Sequence, residues 1–185
     1  MRTILMILAT FTPSFLYSQK NFISIGAEFA IPGTSGLDMI AGNGLGGSFR
    51  FESSWGNHVS GIVTIGYLSF AKESHYMGST TTASFKAIPI QGGIKYYIMK
   101  KKEIPKGLYI STEVGVMPTS THFTYTSNPD HTHKESGYSV APGVGYLLGK
   151  LESSVRLQYN LTDSGFNVYY YNLRIAYAFR KRNKS

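Results

Sequence analysis

Several side chains that could bind a metal ion are grouped in one polar segment late in the chain. The group consists of His122, Asp130, His131, His133 and Glu135. Imidazole nitrogens and carboxylate oxygens are common ligands of transition metals, and His131 and His133 would project to the same side of an extended chain. No spacing matches a zinc motif, and a polar surface segment without an ion explains the same residues. We therefore predict no metal site and no cofactor.

Nucleophilic catalysis would need a serine next to a histidine and an acid. Ser74 and His75 are close in sequence, as are His133 and Ser136, but neither pair lies in a recognisable catalytic motif. The chain has no cysteine, which excludes a thiol nucleophile, a disulfide and a cysteine-based zinc site. Gly42–Gly47 formally contains GxGxxG, but a loop precedes it and a glycine-rich strand follows, whereas a dinucleotide site needs a strand and then a helix. We predict no catalytic or cofactor-binding residues and no enzymatic activity.

The elements that hold these residues are predicted first from composition and from the N-terminal segment. The chain has 185 residues, including 20 Gly, 14 Tyr and 11 Phe, a composition typical of strands and tight bends within one domain. Met1–Arg2 and the mostly apolar run Ile4–Leu16, followed by Ser18, predict a signal peptide with cleavage near Ser18. The apolar run is shorter than the ~20 residues that a membrane-spanning helix needs.

Alternation of apolar and polar residues with a period of two dominates the chain from residue 21 onward. The alternating segments are 21–31, 44–53, 59–70, 83–98, 108–116, 137–148, 151–161 and 168–179. Most of them suit the ~9–11 residues of a tilted membrane-spanning strand, and a membrane location would require a closed barrel. We predict an all-β, eight-stranded antiparallel up-and-down transmembrane barrel. We expect local bulges at Pro89 and Pro142, because proline cannot donate to the ladder.

Short and long connections alternate between the predicted strands. The short ones are 54–58, 99–107 and 149–152, and the longer ones are 32–43, 71–82, 117–136 and 162–167. Short periplasmic turns and long outer loops are typical of outer-membrane barrels, so we predict that both termini lie in the periplasm. Acidic residues outnumber basic ones in the long loops, whereas basic residues dominate the short turns and the tail, where the acids are Glu103 and Glu152. The formal net charge of +8 is thus explained without a nucleic acid partner.

Alternation alone does not decide which face lines the interior of the barrel. A soluble ligand-binding barrel turns its apolar face inward, whereas a membrane barrel turns it toward lipid. Here the polar face is rich in glycine, serine and alanine rather than in the lysine and glutamate of a soluble surface. The apolar face carries tyrosine and phenylalanine near the strand ends, which is typical of an interfacial aromatic girdle. These features favour the membrane, and a soluble secreted ligand-binding barrel remains an alternative.

The last predicted strand carries alternating hydrophobic residues that end on an aromatic residue. These are Tyr171, Leu173, Ile175, Tyr177 and Phe179. Together with the alternating pattern of the whole chain, this strand makes the protein resemble the small OmpA/OmpX-type outer-membrane β-barrel family of Gram-negative bacteria. One departure is that six residues, Arg180 to Ser185, follow Phe179. The resemblance implies that these alternating residues form an assembly signal read by the barrel-assembly machinery. The predicted segments are a signal peptide at 1–18, an outer-membrane β-barrel at 19–179 and a basic C-terminal tail at 180–185.

A network of charged side chains is predicted inside the barrel. Its members are Glu28, Arg50, Glu52, Lys95, Glu113, Arg156 and Arg174. All of them fall on the polar face, and eight strands leave an interior just wide enough to be filled by side chains. Because an unpaired buried charge is costly, we expect these groups to pair, with Glu113 as the partner of Arg156 or Arg174. Because these side chains would fill the lumen, we predict a plugged barrel without general transport activity.

The sequence thus predicts a non-enzymatic outer-membrane protein with a structural, membrane-integrity or surface-interaction (adhesion-like) role. Its expected partners are outer-membrane lipids and lipopolysaccharide, the barrel-assembly machinery, and an extracellular ligand bound through the loops 32–43, 71–82 and 117–136. Two alternatives stay open: a lipid-modifying enzyme of the outer membrane, and the soluble secreted barrel.

Overall fold

The computed structural model of the chain describes residues 21–33, 42–76, 79–98, 107–125, 131–162 and 167–180. The predicted signal peptide at 1–18 lies outside these residues, as does the part of the predicted basic tail at 181–185. Within the described ranges, no helix is long and apolar enough to cross a membrane.

The described residues form nine β-strands that close into an eight-stranded barrel. The strands are β1 (Asn21–Pro32), β2 (Gly44–Ser54), β3 (Val59–Tyr76), β4 (Ser79–Ala87), β5 (Ile90–Tyr97), β6 (Gly107–Tyr125), β7 (His131–Leu148), β8 (Leu151–Thr162) and β9 (Val168–Arg180). β4 and β5 are the two halves of one barrel strand, because both pair with β3 on one side and with β6 on the other. Every pairing is antiparallel, and β9 pairs with β1 to close the sheet. The predicted antiparallel up-and-down barrel is confirmed.

The strands are staggered around the barrel. A circuit of paired residues that begins at Ile23 in β1 passes through every strand and returns to β1 at Gly33, a displacement of ten residues. This stagger goes with a strand tilt of roughly 35–45° in a barrel of this size. Each step along a row of paired residues therefore climbs along the barrel axis.

The prediction of bulges at Pro89 and Pro142 is wrong. On either side of Pro89, Ala87 pairs with Leu68 and Ile90 pairs with Ile65, so both strands advance by the same number of residues. The Pro89 carbonyl still accepts a hydrogen bond from the Gly66 amide at 2.9 Å. The register between β7 and β8 is likewise unchanged across Pro142. A missing donor removes one ladder bond, but it does not force an extra residue into the strand.

Two of the predicted long loops are largely strand. β3 and β4 stay paired as far as Tyr76 with Ser79, and β6 and β7 as far as Phe123 with His131. The described parts of the loops predicted at 71–82 and 117–136 therefore form a four-stranded sheet that continues the barrel wall beyond the described ends of the other strands. We call residues 69–76, 79–87, 118–125 and 131–136 the extension. Threonine and aromatic residues favour strands there, although the segment is rich in polar residues.

The two faces of the wall differ sharply in polarity. Outward-facing apolar side chains, which we call the apolar belt, are exposed on every barrel strand and include Ile25, Phe49, Ile65, Ile90, Val114, Val140, Val155 and Leu173. The inward-facing side chains are buried, and many are polar or charged. A soluble ligand-binding barrel would have the reverse arrangement, with its apolar face inside. The structure therefore has the polarity of a barrel that is surrounded by lipid.

Candidate functional site

The interior of the barrel holds a cluster of eight buried charged side chains among the described residues. The acids are Glu28, Glu52, Glu113 and Glu152, and the bases are Arg50, Lys95, Arg156 and Arg174. Each side chain is at most 2% exposed. Four positive and four negative charges balance, so the cluster has no net formal charge. We call these eight residues the charge network.

Lys95 organises the half of the network nearest the chain termini. Its Nζ lies 2.7 Å from Oε2 of Glu52 and 3.2 Å from Oε1 of Glu152. Tyr97 donates to Glu52 at 2.9 Å, and Tyr109 donates to Glu152 at 2.6 Å. The ammonium group also lies 4.3 Å from the ring centroid of Tyr109, within the range of a cation–π contact. Lys95 thus has anionic and aromatic partners on several strands.

Arg50 joins the two halves of the network. Its two terminal nitrogens contact different acids, Glu152 at 2.7 Å and Glu113 at 2.8 Å. Its Nε donates to the hydroxyl of Thr64 at 3.0 Å. A planar guanidinium with several fixed donors suits such a bridge, because one side chain can reach two carboxylates at once.

Arg156 and Arg174 complete the network on the far side of Arg50. Arg156 contacts Glu28 at 2.6 Å and Glu113 at 3.2 Å. Arg174 lies 3.4 Å from Glu152 and 3.7 Å from Glu28, and it donates to the hydroxyls of Ser24 and Ser48 at 2.9 and 2.8 Å. The predicted partnership of Glu113 with Arg156 is present, while Arg174 pairs elsewhere.

An apolar layer lies on each side of the charge network. The lower layer, at the end of the barrel that holds the chain termini, consists of Phe22, Tyr97, Tyr109, Leu147 and Ala178. The upper layer, at the end that carries the extension, consists of Ala30, Leu68, Phe70, Phe85, Ala87, Met117, Val168 and Tyr170. In the upper layer Phe70 packs edge-on against Phe85 and Tyr170, with ring centroids 5.6 and 5.5 Å apart. The lumen is therefore filled by three layers of side chains in series.

All seven residues of the predicted charge network lie in the lumen, and the eighth, Glu152, was missed. The sequence had placed Glu152 in a turn at 149–152, but the turn is only Gly149 and Lys150, and β8 begins at Leu151. Gly149 has φ 64°, a left-handed conformation that favours glycine. Alternation from Ser154 and Arg156 back to Glu152 could have shown that this acid faces inward.

The histidines of the extension do not all lie on one face of the sheet, and Asp130 of the candidate metal group lies outside the described residues. His122 lies opposite Thr132 across β6 and β7, so it faces away from His131 and His133. His122 lies 2.8 Å from the Thr132 hydroxyl, and His133 lies 2.8 Å from Glu135. The described residues contain no group of three or more potential metal ligands.

One of the two serine–histidine pairs lies among the described side chains, and it does not form a catalytic arrangement. His133 and Ser136 are three residues apart on β7, so their side chains point to opposite faces of the sheet. The side chains of Ser74 and His75 lie outside the described part of the structure. Gly42–Gly47 runs into β2, so no helix follows its GxGxxG pattern.

The residues of the predicted assembly signal lie on the outer surface of β9. They are Tyr171, Leu173, Ile175, Tyr177 and Phe179, and each is 40–52% exposed. β9 continues one residue further, to Arg180, which pairs with Phe22. The signal itself stays a prediction, since exposure on this face is shared by the apolar belt as a whole.

Comparison with solved structures shows the same fold in small outer-membrane barrels. The Ail attachment invasion locus protein of Yersinia pestis, in complex with the heparin analogue sucrose octasulfate, superimposes with a TM-score of 0.62 and 16% sequence identity, covering 86% of this chain and 98% of Ail. The N-terminal β-barrel domain of Pseudomonas aeruginosa OprF superimposes with a TM-score of 0.56 and 13% sequence identity, covering 88% of this chain and 99% of that domain. The outer membrane protein OprG of the same organism superimposes with a TM-score of 0.54 and 12% sequence identity, covering 89% of this chain and 98% of OprG.

No protein-family model matches the chain, and no curated protein matches its sequence. The likeness to the solved structures shows the fold alone: an eight-stranded antiparallel β-barrel similar to those of small outer-membrane proteins.

Proposed function

We propose that this chain is a non-enzymatic outer-membrane protein with a structural, membrane-integrity or surface-interaction role, and that its barrel is not a transport channel. The observation that carries this proposal is the filled lumen. The charge network is balanced and internally paired, and an apolar layer lies on each side of it. A solute would have to displace all three layers to cross the barrel.

The outer surface supports a location among the lipids of the outer membrane. The apolar belt is exposed all around the barrel, and a surface of this kind is stable only next to lipid. We propose that both termini face the periplasm and that the extension faces outward. Tyr171, Leu173, Ile175, Tyr177 and Phe179 would then be read by the barrel-assembly machinery during insertion.

The extension supports the surface-interaction part of the proposal. Among the described residues it continues the wall on β3, β4, β6 and β7, and its outward face presents a polar surface beyond the apolar belt. Ail has the same fold and is described as an attachment invasion locus protein. An adhesion-like contact with an extracellular ligand through the extension is consistent with this arrangement.

Planar-bilayer recording tests the proposal of a closed lumen. The purified and refolded protein should give no large, steady single-channel conductance. A vesicle swelling assay with small sugars should likewise show no uptake above that of empty vesicles. Steady conductance from a folded sample would refute the filled lumen as a functional barrier.

The competing class, a lipid-modifying enzyme, is tested with the same sample. Incubation with labelled lipid A should leave the label in the substrate. Release or transfer of the acyl label by the folded protein, but not by the boiled protein, would replace the structural role by an enzymatic one.

A further inference from the structure

The upper apolar layer gives way to polar side chains on the side of the lumen that β7 and β8 form. The members of the layer belong to β1, β3, β4, β6 and β9. At the same level, Gln158 of β8 pairs with Tyr170 of the layer. Asn160 of β8 pairs with Val168 of the layer on one side and with Ser139 of β7 on the other. Ser139, Gln158 and Asn160 are each 1% exposed, and we call these three residues the polar seam.

The polar seam continues the upper half of the charge network toward the extension. Arg156, Gln158 and Asn160 are successive inward-facing residues of β8, so they stand about 6–7 Å apart along the strand. Asn172 of β9 pairs with Arg156, and each of these two side chains donates to Glu28 at 2.6 Å. The seam therefore begins where the ion pairs of the network end.

A side chain from β5 also reaches the polar seam. The Gln91 amide donates to the Ser139 hydroxyl at 3.0 Å, although β6 lies between their two strands. Gly115 occupies the paired position on β6. Because glycine has no side chain, the Gln91 amide can cross β6 at this point. Polar groups from β5, β7, β8 and β9 thus meet in one part of the lumen.

Five polar atoms in and next to the polar seam have no hydrogen-bond partner among the described residues. They are Gln91 Oε1, Arg156 Nε, Gln158 Nε2, Asn160 Oδ1 and Asn172 Oδ1. Each belongs to a side chain that is at most 2% exposed. A buried polar atom without a partner is costly, and bound water commonly supplies the missing hydrogen bonds. A buried water makes about three hydrogen bonds, so it is stable only where several polar atoms are grouped as they are here.

We propose that the polar seam holds a chain of bound water molecules that joins the upper half of the charge network to the water at the extension end of the barrel. The five atoms are three acceptors and two donors. A bound cation would satisfy only the oxygens and an anion only the N–H groups, whereas water both donates and accepts. The spacing along β8 also suits water, since one molecule bonded to two groups spans roughly 5–6 Å.

The water chain ends inside the barrel and forms no channel. Below the seam, Arg50 and Lys95 are held by carboxylates at 2.7–2.8 Å, and the lower apolar layer lies beneath them. The network is therefore hydrated from the extension end, while its half nearest the chain termini stays dry. Exchange of side-chain protons with solvent distinguishes the two halves.

The buried arginines provide a test with controls inside one molecule. Arg50 Nε donates to Thr64 at 3.0 Å, and Arg174 Nε donates to Ser48 at 2.8 Å. Arg156 Nε has no partner within the described ranges. In NMR spectra of the folded, arginine-labelled protein in lipid nanodiscs, we expect the Arg156 Nε–H to show a cross-peak to water. It should exchange with deuterated solvent roughly tenfold faster than the other two, or more. Equally slow exchange at all three arginines would refute the water chain.

The route of the water is tested by filling the polar seam. N160L places an apolar side chain in the seam and should slow exchange at the Arg156 Nε–H roughly tenfold. S139V changes the volume little, should act in the same direction, and carries the test if N160L does not fold. The control is Y159F on the outward face of β8, where Tyr159 is 41% exposed, and it should leave the exchange unchanged.

Unchanged, fast exchange in the folded seam variants would show that water enters by another route and would overturn the proposal. Equal slowing in Y159F would show a general change in the barrel and would count against it as well.

Discussion

Glu113 holds two guanidinium groups with one oxygen atom, since Oε1 lies 2.8 Å from Arg50 and 3.2 Å from Arg156. Because all three side chains are buried, replacement of Glu113 by alanine leaves a positive charge uncompensated. We expect E113A to lower the free energy of unfolding by about 3–5 kcal/mol, and less if water enters. Urea unfolding in lipid vesicles measures the change. Glu135, which is partly exposed in the extension, provides the control, and E135A should change stability by about 0.5 kcal/mol or less.

Glu152 is the most shared acceptor of the charge network. Its Oε1 lies 2.7 Å from Arg50, 3.2 Å from Lys95 and 3.4 Å from Arg174. We expect E152Q and K95M each to destabilise the barrel, because each leaves the lumen with one unbalanced charge. The double variant E152Q/K95M restores neutrality, so its loss should be smaller than the sum of the single losses by about 1–3 kcal/mol. Additive losses in urea unfolding would show that charge balance does not stabilise the network.

Two consecutive glycines in β5 distinguish the crowded inner face of the strands from the open outer face. A Cβ on Gly93 would lie 2.8 Å from the Glu113 Cα and 2.9 Å from its Cγ, whereas the nearest atom to a Cβ on Gly92 is 4.0 Å away. We expect G93A to cost about 1–3 kcal/mol through overpacking against β6. G92A, which faces outward, should be neutral within about 0.5 kcal/mol. Equal effects of the two substitutions on urea unfolding would contradict the close approach of β5 and β6.

The extension and the proline sites show how an element can differ from its local sequence signal. Polar composition predicted loops at 71–82 and 117–136, yet neighbouring strands supply partners for most of that backbone. Pro89 predicted a bulge, yet the backbone on either side of it keeps its partners. In both cases pairing with neighbouring strands decided the structure, and the sequence of one segment does not show which other segments it pairs with.

The closed sheet should make the whole molecule heat-modifiable. Every barrel strand has two neighbours, and β9 pairs with β1, so detergent finds no free edge at which to begin unfolding. An unboiled sample should therefore migrate differently from a boiled one on a denaturing gel. Identical migration of a properly refolded sample would argue against closure.

The orientation of the molecule can be tested with single cysteines, since the chain has none of its own. Thr132 lies in the extension, and Lys150 lies in the turn at the opposite end. With both termini in the periplasm, a membrane-impermeant maleimide added to intact cells should label T132C and leave K150C unlabelled. Permeabilisation of the outer membrane should then expose K150C. The opposite pattern would reverse the proposed topology.

The part of each barrel strand that carries the apolar belt, and the faces of its side chains, were determined by the sequence alone. β1, β2, β8 and β9 begin and end within one residue of their predicted bounds. This works because the period of two is a local property of an extended backbone, so each residue's parity within its strand assigns it to the lumen or to the belt. The same parity placed Glu28, Arg50 and Glu113 inside.

Only the tertiary structure decided which of the buried charges meet. Arg50 and Glu113 are 63 positions apart in the chain, and their contact depends on the ten-residue stagger of the closed barrel. The inclusion of Glu152, which balances the network, depends on a turn of two residues rather than four. Register and closure are properties of all the strands together. The pattern along one strand therefore specifies the face of a side chain, but not its partner across the lumen.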